Sequence, residues 1–453
     1  MHRCYRTLIG CFLLTAMLLS FFSLPISAET EPIPDTSEAK AVWFYHLESG
    51  QSVVTRNSDV VLPAGSTVKI LSGLISCERL GGQLNEVITV TKEMLAGSSG
   101  YQYGRLEAGA QFTVRDLLYL AVCGSYNNAY QALAYLIGGG DVQAFLSLMN
   151  ERAKELGATQ TTVGDPTGIS DLSTTTAEDL FRIACAAIEN PLYMQISGSG
   201  SYDLSSGHRI SNRNALISKS EGTKYYNPLC HGLSAGVTRL GGACLVTLAQ
   251  KGNDRYLCVV MGAEEVELDA QTTETYSYVV ANRLIEWGYQ NYSYVELLNP
   301  QTEICTLPIK VSDLTDEISV VPKESFSYYL PAGAEKEITF SVRLAYEELE
   351  APIAEGEHVG YVALVYNGEI LGTVPIVTAG GAERSGFVSR LMQIRTLTED
   401  RAAMAGLIFF LVATTAWILT EYLIRRHRRH KWDKYFSEKI DFPETILNRP
   451  RKP

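Results

Sequence analysis

Ser66 and Lys69 stand three residues apart in Ser66-Thr67-Val68-Lys69, at the start of a run with helical spacing. That spacing puts both side chains on one helix face, within hydrogen-bonding reach. A lysine kept neutral by burial can take the serine proton, and a helix N-terminus favours the negative charge that develops. The chemistry indicated is nucleophilic attack by a serine with a lysine base. Taken alone, the same spacing also describes a capped helix with an exposed lysine. Ser125-Tyr126-Asn127 follows 59 residues after Ser66, between two helical stretches. A hydroxyl and an amide two apart suit a loop that aims both into a cleft. Ser125 would relay a proton, and Asn127 would hold a substrate amide and Lys69. Turns are rich in Ser and Asn, so this pair too decides nothing by itself.

These residues need a frame. Residues 40–55 predict two strands around the Ser49-Gly50 turn. Leu62-Pro63-Ala64-Gly65 breaks the chain. Val68, Ile70, Leu71, Leu74 and Ile75 then recur at helical spacing, with Ser66 as N-cap or first-turn residue. Further helices are predicted over 115–137, 141–156 and 176–189. Apolar runs at 243–249 and 256–261, with Gly, Asn and Asp between them, predict buried strands, and 273–287 a closing helix. Strands, helices, strands and a helix in that order predict an α+β domain, helices packed on an antiparallel sheet, over 36–290. Residues 293–380 alternate Val, Ile, Tyr and Thr between turns and predict a small all-β domain. A stalk follows over 381–400, in which 387–397 is amphipathic and suits a membrane surface.

With 453 residues, 46% hydrophobic and 19% charged, the chain exceeds one average domain and is too apolar to be disordered. Its formal charge of -12 is unevenly spread. Residues 421–453 carry ten Lys/Arg against five Asp/Glu, and the first 28 carry Arg3 and Arg6 without an acid, so the body between is strongly acidic. Such a body argues against a nucleic-acid partner. Arg3 and Arg6 precede an uncharged run closing on Ile26-Ser27-Ala28, which predicts a secretory signal over 1–28; an uncleaved anchor is the other reading of that run. Residues 402–420 hold no charge, and at about 1.5 Å per residue they span roughly 28 Å, close to a bilayer core. Trp417 and Tyr422 suit the interface, and the basic run Arg425 to Lys431 follows. The prediction is one transmembrane helix over 402–424, a cytoplasmic basic tail over 425–453, and an extracytoplasmic body. Seven cysteines lie between the signal and the span, an odd number without a CxxC pair. They read as small buried hydrophobes, with a Cys244–Cys258 disulfide as the alternative. No His/Cys cluster has metal-ligand spacing, and no cofactor is expected.

S-x-x-K and S-x-N together, followed by a K-T-G strand, form the set shared by penicillin-binding proteins and class A β-lactamases. The resemblance reaches further here. LLYLAVCGSYNNAYQALAYLIGG, FLSLMNERAKELGATQTT and DPTGISDLSTTTAEDL resemble the low-molecular-weight D-alanyl-D-alanine carboxypeptidases. So do Ala351-Pro352-Ile353 and Gly356-Glu357-His358-Val359-Gly360 in the β region. The resemblance covers roughly 36–380. It implies a β-lactamase/transpeptidase-like catalytic domain, a serine carboxypeptidase with Ser66, Lys69 and Ser125 catalytic and Asn127 on the substrate, and peptidoglycan stem peptides and β-lactam antibiotics as ligands.

One element departs. Where the family has Asp-Gly-Leu-Lys-Thr-Gly-x-Thr, this chain reads His231-Gly232-Leu233-Ser234-Ala235-Gly236-Val237-Thr238, followed by Arg239. The resemblance makes Ser234 to Arg239 the substrate-binding strand, with the backbone N–H groups of Ser66 and Val237 holding the oxyanion. The family's lysine charge beside the S-x-N serine and its threonine for the terminal carboxylate are both absent. Losing one charge-assisted hydrogen bond costs about 1.5–3 kcal/mol, roughly one to two orders of magnitude in rate. Arg239 or His231 would compensate, or each is a solvated surface residue. Two function readings stand: a DD-carboxypeptidase acting through a Ser66 acyl-enzyme, and a catalytically impaired homologue that binds or scaffolds peptidoglycan. A β-lactamase is disfavoured by the β domain and the anchor.

Overall fold

The computed structural model describes residues 32–219, 224–269, 272–312, 315–387, 390–391 and 401–439. The segment expected to be a signal, residues 1–28, lies outside them, as do 388–389 and 392–400 of the stalk and the tail beyond 439. The chain divides into two compact units. One runs to Val295 and includes Ser327–Glu337; the other comprises Glu296–Phe326 and the chain from Ile338 on.

The first unit is built on a five-stranded antiparallel sheet. Its strands are β1 (Ala41–His46), β2 (Gln51–Arg56), β3 (Cys230–Thr238), β4 (Gly242–Lys251) and β5 (Asp254–Ala263), in the order β2-β1-β5-β4-β3. β3 is therefore an edge strand. The apolar runs of β4 and β5 are continuous because both sheet faces are covered. Leu257, Val259 and Met261 pack with the helical block, while Cys258, Val260 and Phe44 pack beneath α6 (Tyr276–Asn291) against Val280, Leu284 and Ile285. Period-two alternation sends Cys244 to the first face and Cys258 to the second, so the two thiols lie on opposite sides of the sheet and both are free.

The helical block contains α1 (Val68–Leu80), α2 (Asn127–Ile137), α3 (Val142–Glu155), α4 (Ala177–Ile188) and α5 (Pro191–Ser197). α1 is its centre. Ile70, Leu71, Leu74 and Ile75 are each at most 1% exposed, and burying such a side chain is worth about 1.5–3 kcal/mol. The helix predicted over 115–137 is interrupted. Val114–Leu118 is α-helical, Tyr119–Cys123 is a π-turn, and the chain leaves the helix at Gly124 before α2 starts at Asn127. The apolar spacing continues across the break because both halves bury the same face, which hides the break from periodicity.

In the second unit, β6 (Cys305–Lys310), β7 (Glu317–Pro322), β8 (Thr339–Leu344), β9 (Leu349–Glu350), β10 (His358–Tyr366) and β11 (Glu369–Thr378) form one sheet in the order β8-β10-β11-β7-β6-β9. This is the small all-β domain the sequence predicts. α7 (Arg401–Lys439) follows, and Met404–Trp432 within it is long and apolar enough to cross a membrane. The helix does not end at 424 but continues through the basic run.

Candidate active site

Ser66 does not cap a helix. It sits in a 3-10 turn, Gly65–Thr67, that leads into α1, and its side chain makes no cap hydrogen bond. Gly65 has φ +55, a backbone conformation that glycine adopts without cost. The 165–170 loop presses on this turn so closely that a Cβ on Gly168 would lie 1.7 Å from the Gly65 carbonyl oxygen. That loop is wound around the Asp165 carboxylate, which accepts hydrogen bonds from the backbone N–H groups of Thr167, Gly168 and Ser170 at 2.7, 2.8 and 2.7 Å. The result is a serine fixed from behind. Ser66 is 5% exposed, and among the described residues its Oγ has no hydrogen-bond partner.

One turn along α1, Lys69 is 6% exposed. Its Nζ donates to the Ser125 carbonyl at 2.8 Å and the Ser125 Oγ at 2.9 Å, and lies 5.5 Å from the Tyr130 ring centre. Burial pulls its pKa from 10.5 down to about 7; the Asp165 charge opposes the shift and the Arg213 charge assists it. Folding therefore keeps Lys69 less protonated than the unfolded chain does between those values, so stability rises with pH across that window. A base must be deprotonated to act. Acylation of Ser66 is accordingly expected to rise with pH through about 7 and level off above it. A pH–rate profile with no inflection near neutrality would contradict that role.

Ser125 holds the position its sequence context suggested, at a cost. The π-turn ends at Gly124 and Ser125 adopts φ +59, a left-handed conformation costing a non-glycine residue about 1–3 kcal/mol. Asn127 is anchored by Nδ2 donating to the Ser99 carbonyl at 2.8 Å, and its buried Oδ1 has no partner among the described residues. Lys69 bonds to Ser125, whereas the S-x-N spacing predicts a bond to Asn127 as well.

β3 closes the site. Alternation puts Ser234 and Gly236 on the face toward Ser66 and turns Ala235 and Val237 to the other. Ser234 Oγ donates to the Ser66 carbonyl at 3.3 Å, and a Cβ on Gly236 would lie 2.6 Å from Ser66 Oγ. Ala235 is buried in the cluster beneath α6, and Val237 is 46% exposed. Thr238 Oγ1 accepts from the Gly241 N–H at 3.1 Å and so braces the turn into β4. Arg239 pairs with Asp171 at 3.2 Å, at 79% and 57% side-chain exposure. His231 is exposed and does not line the cavity that Ser66 opens into.

That cavity, about 1000 Å³, gathers Ser66, Lys69, Ser125, Asn127 and the 235–239 segment. It also holds residues that the sequence reading passed over, among them Tyr101, Asp171, Arg213, Tyr225 and Glu265. The first four come from loops with no periodic signal, and Glu265 from the short strand Glu265–Glu267. A buried partnerless nucleophile, a lysine held near neutrality and a hydroxyl bonded to it form a unit that can exchange a proton and attack a carbonyl.

The model of the family described as D-alanyl-D-alanine carboxypeptidase matches residues 27–265. This chain belongs to that family. The C-terminal domain of penicillin-binding protein 5 matches residues 292–384, as expected of a low-molecular-weight penicillin-binding protein. The chain is 27% identical to the D-alanyl-D-alanine carboxypeptidase DacC of Escherichia coli, over 83% of this chain and 92% of that one. It is 25% identical to DacF of Bacillus subtilis, over 85% and 97%. Penicillin-binding protein 5 from Haemophilus influenzae shares the fold, with TM-score 0.54 at 21% identity, over 78% of this chain and all of that one.

Proposed function

We propose that this chain is a serine DD-carboxypeptidase that trims the terminal D-Ala of peptidoglycan stem peptides through a Ser66 acyl-enzyme. The observation that carries the reading is the partnerless, buried Ser66 Oγ beside a lysine held to about 7 and bonded to Ser125. In this mechanism Lys69 takes the Ser66 proton as Oγ bonds to the penultimate D-Ala carbonyl carbon. The backbone N–H groups of Ser66 and Val237 hold the oxyanion. Ser125 passes a proton to the departing nitrogen, the C–N bond breaks, and D-Ala leaves. Water activated by Lys69 then cleaves the ester. The Asn127 Oδ1, buried and without a partner among the described residues, suits a substrate amide N–H. Met404–Trp432 would anchor the protein by one span, the body extracytoplasmic and the basic run Arg425 to Lys431 at the cytoplasmic face.

Release of D-Ala from a diacetyl-L-Lys-D-Ala-D-Ala peptide tests the reading. Ser234 and Ala235 favour the alternative, a homologue that binds or scaffolds peptidoglycan without turnover. The double substitution Ser234→Lys with Ala235→Thr is expected to raise kcat/KM by about tenfold or more, from the charge-assisted hydrogen bond that a lysine on the Ser66 side of β3 returns. Arg239→Ala is expected to change it within about twofold, since an ion pair this exposed contributes little. A parent that releases no D-Ala, with neither variant altering that, would leave the binding protein standing.

A further inference from the structure

We propose that Tyr130 is the positioning residue of Lys69: its hydroxyl anchors the lysine's backbone, and its ring face receives the ammonium that forms when Lys69 takes the Ser66 proton. The proposal rests on Lys69 being the base of the proposed acylation.

A general base in a dry cleft faces two opposed demands. It must be neutral before the reaction, and it must carry a full charge once the proton has moved. Burial meets the first demand and works against the second, because a charge without water or a partner is costly. At Lys69 both printed bonds of Nζ end on Ser125, on a carbonyl and a hydroxyl, and neither is an anion. The charges that act on the amine oppose each other: Asp165 favours the ammonium and Arg213 disfavours it. The Tyr130 ring also stands beside Nζ, with the amine over its face and 5.5 Å from its centre. An aromatic face carries negative charge density. An ammonium within about 6 Å of its centre is stabilised, most of all where water is excluded.

Tyr130 is placed by the same turn of α2 that places Asn127, three residues before it on one helix face. Asn127 lines the cavity, and Tyr130 is 2% exposed. A buried phenol needs a partner for its hydroxyl, and this one donates to the Lys69 backbone carbonyl at 3.3 Å. Gly73, one turn further along α1, leaves the space in which Tyr130 and Tyr193 meet that helix. A Cβ there would lie 3.5 Å from the Tyr130 hydroxyl oxygen and 3.0 Å from Tyr193 Cε2. One side chain therefore holds the lysine twice, its backbone by the hydroxyl and its amine by the ring. The ionisable groups that act on Tyr130 are Cys77, Cys123 and Tyr193. Burial pushes both thiols up to about 12 and both phenols above their ordinary value. None of them titrates near 7, where Lys69 does. As Ser66 Oγ bonds to a carbonyl carbon, its proton passes to Nζ and the positive charge forms over the ring. The ring thus returns part of the basicity that burial removes.

The test follows benzylpenicillin acylation of the full chain by intact-mass spectrometry from about pH 5 to about pH 9, across the range in which the base titrates. Tyr130→Leu removes the ring. Its inflection is expected to move to lower pH by roughly half a unit or more, and its plateau rate to fall by about threefold or more, the value of a desolvated cation–π contact. Tyr130→Phe keeps the ring and is expected to keep the inflection at the wild-type pH. Tyr130→pentafluorophenylalanine keeps the shape but reverses the charge distribution of the face. It is expected to move the inflection as Tyr130→Leu does, and it decides the question if the leucine variant does not fold. An inflection that stays in place without the ring's charge overturns the proposal, even where the rate falls, because packing alone then explains the loss. A shift of the same size in Tyr130→Phe overturns it too, by assigning the effect to the hydroxyl. Failure of the base reading shows separately, as a wild-type profile with no inflection near 7.

Discussion

Replacing Lys69 by arginine is expected to abolish acylation of Ser66 as completely as replacing it by alanine. The reason lies in what surrounds Lys69. The amine is 6% exposed and fixed by two bonds to Ser125, and burial holds its pKa to about 7, so much of it is neutral at physiological pH. Arginine preserves charge and length but stays protonated, and cannot accept the serine proton. Losing a general base costs about 10²–10⁴-fold. The rate at which intact protein gains the mass of a penicillin reads this directly. Near-normal acylation in Lys69→Arg would mean that Lys69 acts only as a positive charge, and the assignment of the base would fail.

A methyl group at Gly236 is expected to be nearly as damaging. Its Cβ would stand 2.6 Å from Ser66 Oγ and 2.9 Å from Ser66 Cβ. The serine cannot retreat, because its turn is clamped from behind by the 165–170 loop at Gly168. The side chain must rotate or β3 must move outward, and a displacement of about 1 Å in a catalytic group costs on the order of 10²-fold. Gly236→Ala should therefore lose acylation by about that factor while thermal unfolding shifts much less, since β3 is an edge strand with solvent on one side. Acylation at the parent rate would show that β3 does not set the position of the nucleophile.

How far the sequence reveals the site follows from what each feature depends on. Ser66 and Lys69 are legible because helix geometry alone joins residues three apart. The strand at 230–238 is legible only through the family resemblance of 231–238, and the need for glycine at 236 comes from its contact with Ser66 in the folded chain. The covered sheet is legible in the unbroken apolar runs of β4 and β5. The break before Asn127 is not, because a π-turn leaves the apolar spacing on both sides intact. Arg213 is not legible either. It sits in a loop whose anchors, Ser197, Ser199 and Gly232, are set by tertiary contact and by no local pattern. Arg239 shows the converse: its spacing from Gly236 made it a candidate, and its exposed pair with Asp171 is a contact that only the folded chain discloses.

Covalent labelling by penicillin tests the central claim most directly, because the strained ring carbonyl needs only a working nucleophile and base and no peptide anchor. Incubated with benzylpenicillin at neutral pH, the wild-type chain is predicted to gain the mass of one drug molecule. The adduct should map by peptide mass spectrometry to Ser66 and be absent from Ser66→Ala. An adduct on any other residue, or none after hours at millimolar drug, would contradict the account.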